Sequence, residues 1–122
     1  MYELSVLPNG LRVISHHMPA SRSVTICVYI GVGSRYETDC EAGASHFIEH
    51  MVFRGSKKYP DSQLISSAIE GVGGILNAAT DRESTLYYAK VGSDKFALAL
   101  DVLSDMLVTP CLTPKTLKKN AR

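Results

Sequence analysis

The sequence has no excess of one charge, no long apolar run and no low-complexity tract. Its formal net charge of +1 at pH 7 argues against nucleic acid or a membrane surface as a partner. No apolar run approaches the roughly 20 residues that a membrane-spanning helix needs. The first residues, MYELSVLPNG, lack the basic start and the apolar block of a secretory signal. These absences predict a soluble globular protein of about one small domain.

Cysteine is also scarce, with only Cys27, Cys40 and Cys111 in the chain. Three separated cysteines outside any C-x-x-C spacing indicate neither a disulfide framework nor a cysteine–zinc site. We expect them to be small core or loop residues of a protein in a reducing compartment. Together with the missing signal, this favours a bacterial cytoplasmic location, with the mitochondrial matrix as the alternative.

Alternating apolar and polar residues predict five strands. In the first, Tyr2, Leu4 and Val6 alternate with polar residues, and Pro8-Asn9-Gly10 then turns the chain. The five predicted strands lie in YELSVL, LRVISHH, VTICVYIGVG, GILNAAT and STLYYAKV.

Apolar residues at helical spacing predict four helices between and after these strands. The segment TDCE at 38–41 fits a capping box, which predicts that the first helix begins there and ends near Gly55. Ser93 is predicted to cap the third helix, and Thr113 the fourth, with Pro114 as its first residue. This order predicts an α+β fold, a mostly antiparallel sheet with helices packed on one face.

The first predicted helix contains HFIEHMVFRG at residues 46–55. At about 100° per residue, His46, Glu49 and His50 fall on one polar stripe of this helix. Histidines four apart lie one turn above each other, so each can offer a nitrogen to the same zinc ion. Glu49 lies beside them and can accept a proton from a water that the metal activates, without being a ligand. From these residues alone, a stripe that only faces solvent stays an alternative.

Four segments around this motif share a wider pattern. They are LPNGLRVI at 7–14, GVGSRYE at 31–37, GASHFIEHMVFRGS at 43–56 and NAATDRESTLYYAKV at 77–91. In order and spacing, over essentially the whole chain, they resemble the N-terminal domain of the pitrilysin/insulinase family. These are zinc peptidases with an inverted H-x-x-E-H motif, and the group includes mitochondrial and bacterial processing peptidases.

The resemblance implies a zinc-dependent endopeptidase. His46 and His50 are then zinc ligands, and Glu49 is the general base that activates water for attack on the peptide bond. The implied substrate is a peptide in an extended conformation.

The resemblance also implies roles for residues near the second pair of strands. Asn77, Ala78 and Thr80 match the N-A-x-T stretch of the family, on a strand that in relatives pairs with the substrate peptide. Glu83 matches a family glutamate, and we expect it to support the site, for example by orienting a histidine. A turn carboxylate in solvent is the alternative for Glu83.

One departure from the family pattern concerns the third zinc ligand. In the family this ligand is a glutamate on the helix after the third, and counting from His50 puts it a few residues past Arg122. We therefore expect residues 1–122 to be a partial N-terminal peptidase domain that binds zinc weakly and is inactive, or nearly so, by itself. The remaining domains or a homologous subunit would complete the site.

Two other functions stay open from the sequence. One is a non-catalytic scaffold subunit of a processing peptidase, although such partners lose the metal motif and this chain keeps it. The other is a metal-dependent enzyme like S-ribosylhomocysteine lyase, which also carries H-x-x-E-H. That enzyme lacks the flanking segments quoted above, which favours the peptidase.

Overall fold

Strands and helices follow one another in the order that the sequence predicts. The computed structural model of the chain describes residues 1–120. Its strands are β1 (Tyr2–Val6), β2 (Arg12–His16), β3 (Ser23–Ile30), β4 (Ile75–Thr80) and β5 (Thr85–Gly92). Its α-helices are α1 (Ala44–Val52), α2 (Ser62–Glu70), α3 (Phe96–Val108) and α4 (Pro114–Asn120). None of the helices within residues 1–120 is long and apolar enough to cross a membrane. Arg122, a few residues past which the third ligand is expected, lies outside the described residues.

The strands form two antiparallel sheets. β1 and β2 make a two-stranded hairpin in which Leu4 lies opposite Ile14. Its turn contains Gly10 at φ 86°, a left-handed conformation that glycine adopts without a steric penalty. The second sheet has the order β3-β5-β4, so that β5 is the central strand and β4 is an edge.

The hydrophobic core lies on one face of the three-stranded sheet. β5 directs Tyr87, Ala89 and Val91 to this face, and each is at most 2% exposed. The end of α1 and the apolar faces of α2 and α3 cover these residues with side chains that are nearly or fully buried: Val52, Ile65, Ile69, Ala99, Val102, Leu103 and Met106. Burying one such aliphatic side chain contributes roughly 1.5–3 kcal/mol. Helices on one face of an antiparallel sheet confirm the predicted α+β class.

The capping box does not begin the first α-helix, and the predicted start was therefore wrong. The carboxylate of Glu41 accepts hydrogen bonds from the backbone N–H (3.2 Å) and the hydroxyl (2.9 Å) of Thr38. These bonds close a short 3-10 turn, Asp39–Glu41, and the chain then breaks at Gly43, whose φ is 87°. Because a left-handed residue cannot lie inside an α-helix, α1 begins only after Gly43.

The other helix starts follow local capping rules to different extents. Ser93 begins a 3-10 turn, and α3 follows it without a side-chain cap, so the predicted cap at Ser93 was wrong. At α4 the prediction is confirmed, since Pro114 is the first helical residue and Thr113 Oγ1 accepts the N–H of Thr116 at 3.3 Å.

Candidate metal centre

Helix α1 carries the predicted metal ligands on the face that it does not bury. It packs against β4, with Met51 and Val52 at most 4% exposed. His46 and His50 are exposed, and Glu49 is more buried than either of them. The helix is therefore amphipathic, and its polar side consists of two imidazoles with a carboxylate directed toward the sheet.

The two imidazole rings converge. His46 Nε2 and His50 Nε2 lie 2.9 Å apart, and the ring centroids are 4.5 Å apart at an interplanar angle of 59°. One ligand atom from each of His46, Glu49 and His50 lies within 4.8 Å of the other two. The four-residue spacing thus brings together the three side chains that the sequence singles out.

This donor set fits zinc. Two neutral imidazole nitrogens that face each other need a proton or a cation between them, because their lone pairs otherwise repel. Two nitrogens on one tetrahedral zinc lie about 3.3 Å apart, given Zn–N bonds of about 2.0–2.1 Å. The His46 and His50 rings would have to separate by only a few tenths of an ångström to accept the ion.

Glu49 is held from the sheet side. Its Oε2 accepts a hydrogen bond from the hydroxyl of Thr80, the last residue of β4. Burial raises the pKa of Tyr87 to about 12, and the nearby negative charge of Glu49 acts in the same direction. Tyr87 also stacks on Phe53, with ring centroids 6.2 Å apart. Glu49 thus lies between the two histidines and a buried part of the sheet.

The residues predicted to bind substrate lie on both faces of β4. Ala78 and Thr80 are half-buried on the face toward the core, whereas Asn77 between them is exposed on the other face. The amide oxygen of Asn77 accepts the N–H of Ala78 at 2.8 Å. Within residues 1–120, β4 pairs with β5 on one side only, so its other side is an open edge.

Glu83 contacts an arginine rather than a histidine. Its carboxylate pairs with Arg35, and both side chains are more than half exposed. Arg35 belongs to residues 33–37, which we call the strap. The N–H of Arg35 donates to the carbonyl of Arg82 at 2.8 Å. A Cβ on Gly33 would lie 2.5 Å from that same carbonyl oxygen, so the strap lies directly against the β4–β5 turn.

The other end of the strap holds α1, a contact that the sequence patterns do not predict. Glu37 accepts the N–H groups of Gly43 (2.7 Å) and Ser45 (2.8 Å) with its two carboxylate oxygens. These hydrogen bonds, those from Ser45 first, hold the pKa of Glu37 below its usual value. Glu37 therefore replaces the side-chain cap that Gly43 cannot supply. Local capping rules apply only to residues at the helix start, and Glu37 lies six residues before Gly43, so these rules do not predict its contact.

A family model described as Insulinase (Peptidase family M16) matches residues 12–122. The chain belongs to this family.

Individual members of the M16 family resemble the chain along most of its length. An uncharacterized zinc protease of Mycobacterium leprae is 45% identical over 85% of the chain, which spans 23% of that protein. A mitochondrial-processing peptidase subunit beta of Blastocladiella emersonii is 43% identical over 92% of the chain, which spans 24% of it. The chain thus spans about a quarter of the length of these relatives.

A solved structure shares the fold. The crystal structure of a protease from Helicobacter pylori aligns with a TM-score of 0.92 at 24% identity, covering 98% of the chain and 29% of that protein. This likeness extends from the β1–β2 hairpin to α4, and it concerns the fold alone.

Proposed function

We propose that this chain is the metal-binding part of a zinc-dependent endopeptidase, in which His46 and His50 hold the ion and Glu49 is the general base. The observation that carries the proposal is the convergence of the two Nε2 atoms to 2.9 Å with Glu49 beside them. Membership of the M16 family and the zinc protease from Mycobacterium leprae support it.

A zinc ion held by His46 and His50 would lower the pKa of water and polarise the carbonyl of a peptide bond. The chain supplies the remaining groups. His46 and His50 direct their Nε2 atoms toward each other, and the exposure of both side chains leaves room for water and a peptide in front of them. Glu49 uses Oε2 to accept the Thr80 hydroxyl, which leaves Oε1 to take the proton of the attacking water.

The open edge of β4 is the proposed substrate site. An extended peptide can add to a strand edge through main-chain hydrogen bonds, and β4 lies next to the metal-binding helix. Ala78 and Asn77 are the central residues of this edge, and their own hydrogen bond would exchange for bonds to the peptide.

The full-length protein is proposed to complete the site. A catalytic zinc usually has three protein ligands and a water, and we propose that the third ligand is a glutamate just past Arg122. Further domains or a homologous subunit would grip the substrate. The proposed location is the bacterial cytoplasm, or the mitochondrial matrix if the protein serves there as a processing peptidase.

The test uses the full-length protein with Glu49→Gln and His46→Ala. We expect Glu49→Gln to keep one zinc per chain but to abolish cleavage of an unstructured peptide, because the amide cannot accept the proton. His46→Ala is expected to lose the zinc as well, measured by elemental analysis. Glu70→Gln, at an exposed glutamate on α2, is the matched control and keeps both.

Two results would contradict the proposal. Unchanged cleavage by Glu49→Gln would show that Glu49 is not the general base. A full-length protein that binds no zinc would favour the non-catalytic scaffold subunit.

A further inference from the structure

The hydrogen bond from Thr80 to Glu49 joins two elements that are 31 positions apart in the sequence. We propose that Thr80 is a positioning residue, whose hydroxyl fixes the carboxylate of Glu49 in the orientation needed to accept a proton. This inference rests on the proposed role of Glu49 as general base. It assigns Thr80 a different task from the substrate contact that the family resemblance implies.

A glutamate side chain needs such a restraint. Its rotatable bonds let the carboxylate occupy several positions, and a base works best when its orientation is fixed before the reaction. A hydrogen bond from a hydroxyl to an ionised carboxylate is among the stronger kinds, and it engages only Oε2 here. Within residues 1–120, Oε1 therefore stays available on a carboxylate that no longer rotates freely.

Thr80 is well suited to hold another group. It is β-branched, which stiffens its first side-chain torsion, and it is half-buried. Its backbone lies opposite Thr85 at the end of β4, where the turn is closed by a bond from Asp81 N–H to the carbonyl of Ser84 at 2.9 Å. Thr85 is itself tied to the carbonyl of Val32 at 3.0 Å. The Thr80 hydroxyl therefore projects from a strand end whose position is fixed by these hydrogen bonds.

The same geometry argues against Thr80 as a donor to substrate. A threonine hydroxyl has a single proton, and here Glu49 accepts it. The side chain also lies on the core-facing side of β4, whereas a peptide added to the edge would bond to main-chain groups.

The test compares Thr80→Val and Thr80→Ser in the full-length zinc-loaded protein. Valine keeps the shape and the strand preference but removes the donor, so we expect kcat to fall roughly 10- to 100-fold, the usual effect of losing such a supporting contact. KM and zinc content should stay unchanged. Serine keeps the donor and should restore most of kcat. Thr25→Val, at an exposed threonine of β3, is the matched control and should have no effect.

A second measurement does not depend on activity. Crystal structures of the Thr80→Val and Thr80→Ser proteins should show the Glu49 carboxylate displaced in the first and retained in the second. If Thr80→Val does not fold, the same comparison is made with Thr80→Ala.

Two outcomes would overturn the inference: a raised KM with unchanged kcat, which means a substrate contact, or an undisplaced Glu49 in the variant that lacks the hydroxyl. The proposed function fails separately, when Glu49→Gln is fully active or the unchanged protein lacks zinc.

Discussion

At the residue scale, the side chains of the helices divide into two environments. On α1, Met51 and Val52 are buried, whereas His46 and His50 are exposed. Substitution of the buried residues is expected to change packing and stability. Substitution of the exposed histidines is expected to change the chemistry of the candidate site. We therefore expect that stability and the proposed metal binding can be altered independently on one helix.

A buried residue of α2 tests this division. Ile69 has no exposed surface, and Ile69→Ala should lower the free energy of unfolding by roughly 2–5 kcal/mol, because it leaves a cavity in the core. Leu64→Ala on the same helix, where Leu64 is 47% exposed, is the control and should cost a small fraction of that. Urea unfolding of the 122-residue chain measures both. Equal losses would mean that the core is not centred on α2 and β5.

The histidine pair could be predicted from the sequence because its geometry is local. Residues four apart on a helix are neighbours whatever the rest of the fold does, and the structure brings His46 and His50 together. The Thr80–Glu49 and Arg35–Glu83 contacts could not be predicted in this way. Each joins different elements, so it depends on how a helix or a loop lies against the sheet.

At the element scale, the position of α1 depends on the strap. Strands and helices follow from local periodicity, which is why their order could be predicted. The start of α1 could not be predicted in this way. A capping-box sequence can begin a 3-10 turn as well as an α-helix, and here it begins a 3-10 turn. Glu37 instead binds the first N–H groups of α1, while Gly33 and Arg35 attach to the β4–β5 turn.

Removal of the Glu37 charge should weaken this attachment in a pH-dependent way. The pKa of Glu37 is lowered in the folded protein, so its contribution to stability is present above the ordinary value of 4.5 and is lost as the pH falls through the lowered folded value. Glu37→Gln should therefore be less stable than the unchanged chain at pH 7, and the difference should narrow below pH 4.5.

Thermal unfolding of the two proteins from pH 7 to pH 3 measures this difference. Glu41 also has a lowered pKa, but it is present in both proteins, so its contribution largely cancels in the comparison. Glu70→Gln is the control. A stability difference that stays constant over the whole range would mean that the carboxylate charge has no part in holding α1.

At the scale of the whole molecule, the described residues leave two surfaces with few contacts. The β1–β2 hairpin is exposed along both strands, and its Tyr2 and Ile14 are each 69% exposed. The edge of β4 is open as well. The chain spans about a quarter of the length of its relatives, and we propose that other parts of the full-length protein complete these surfaces.

The 122-residue chain is accordingly expected to cleave peptides far more slowly than the full-length protein, since two histidines alone bind zinc weakly. Cleavage of an unstructured peptide by both proteins, with and without EDTA, measures this. A comparable rate for the shorter chain, stopped by EDTA, would show that it already holds every ligand it needs.

The two hydrogen bonds of Glu37 determine how far the sequence between Glu37 and α1 can change. The N–H groups of Gly43 and Ser45 donate hydrogen bonds to the Glu37 carboxylate. Both ends of the segment 38–42 are therefore fixed, and the segment forms a closed loop. Its length and composition could vary without moving His46 or His50, since neither end would shift. An engineered epitope or a fluorophore attachment site placed there should report on the centre without disturbing it.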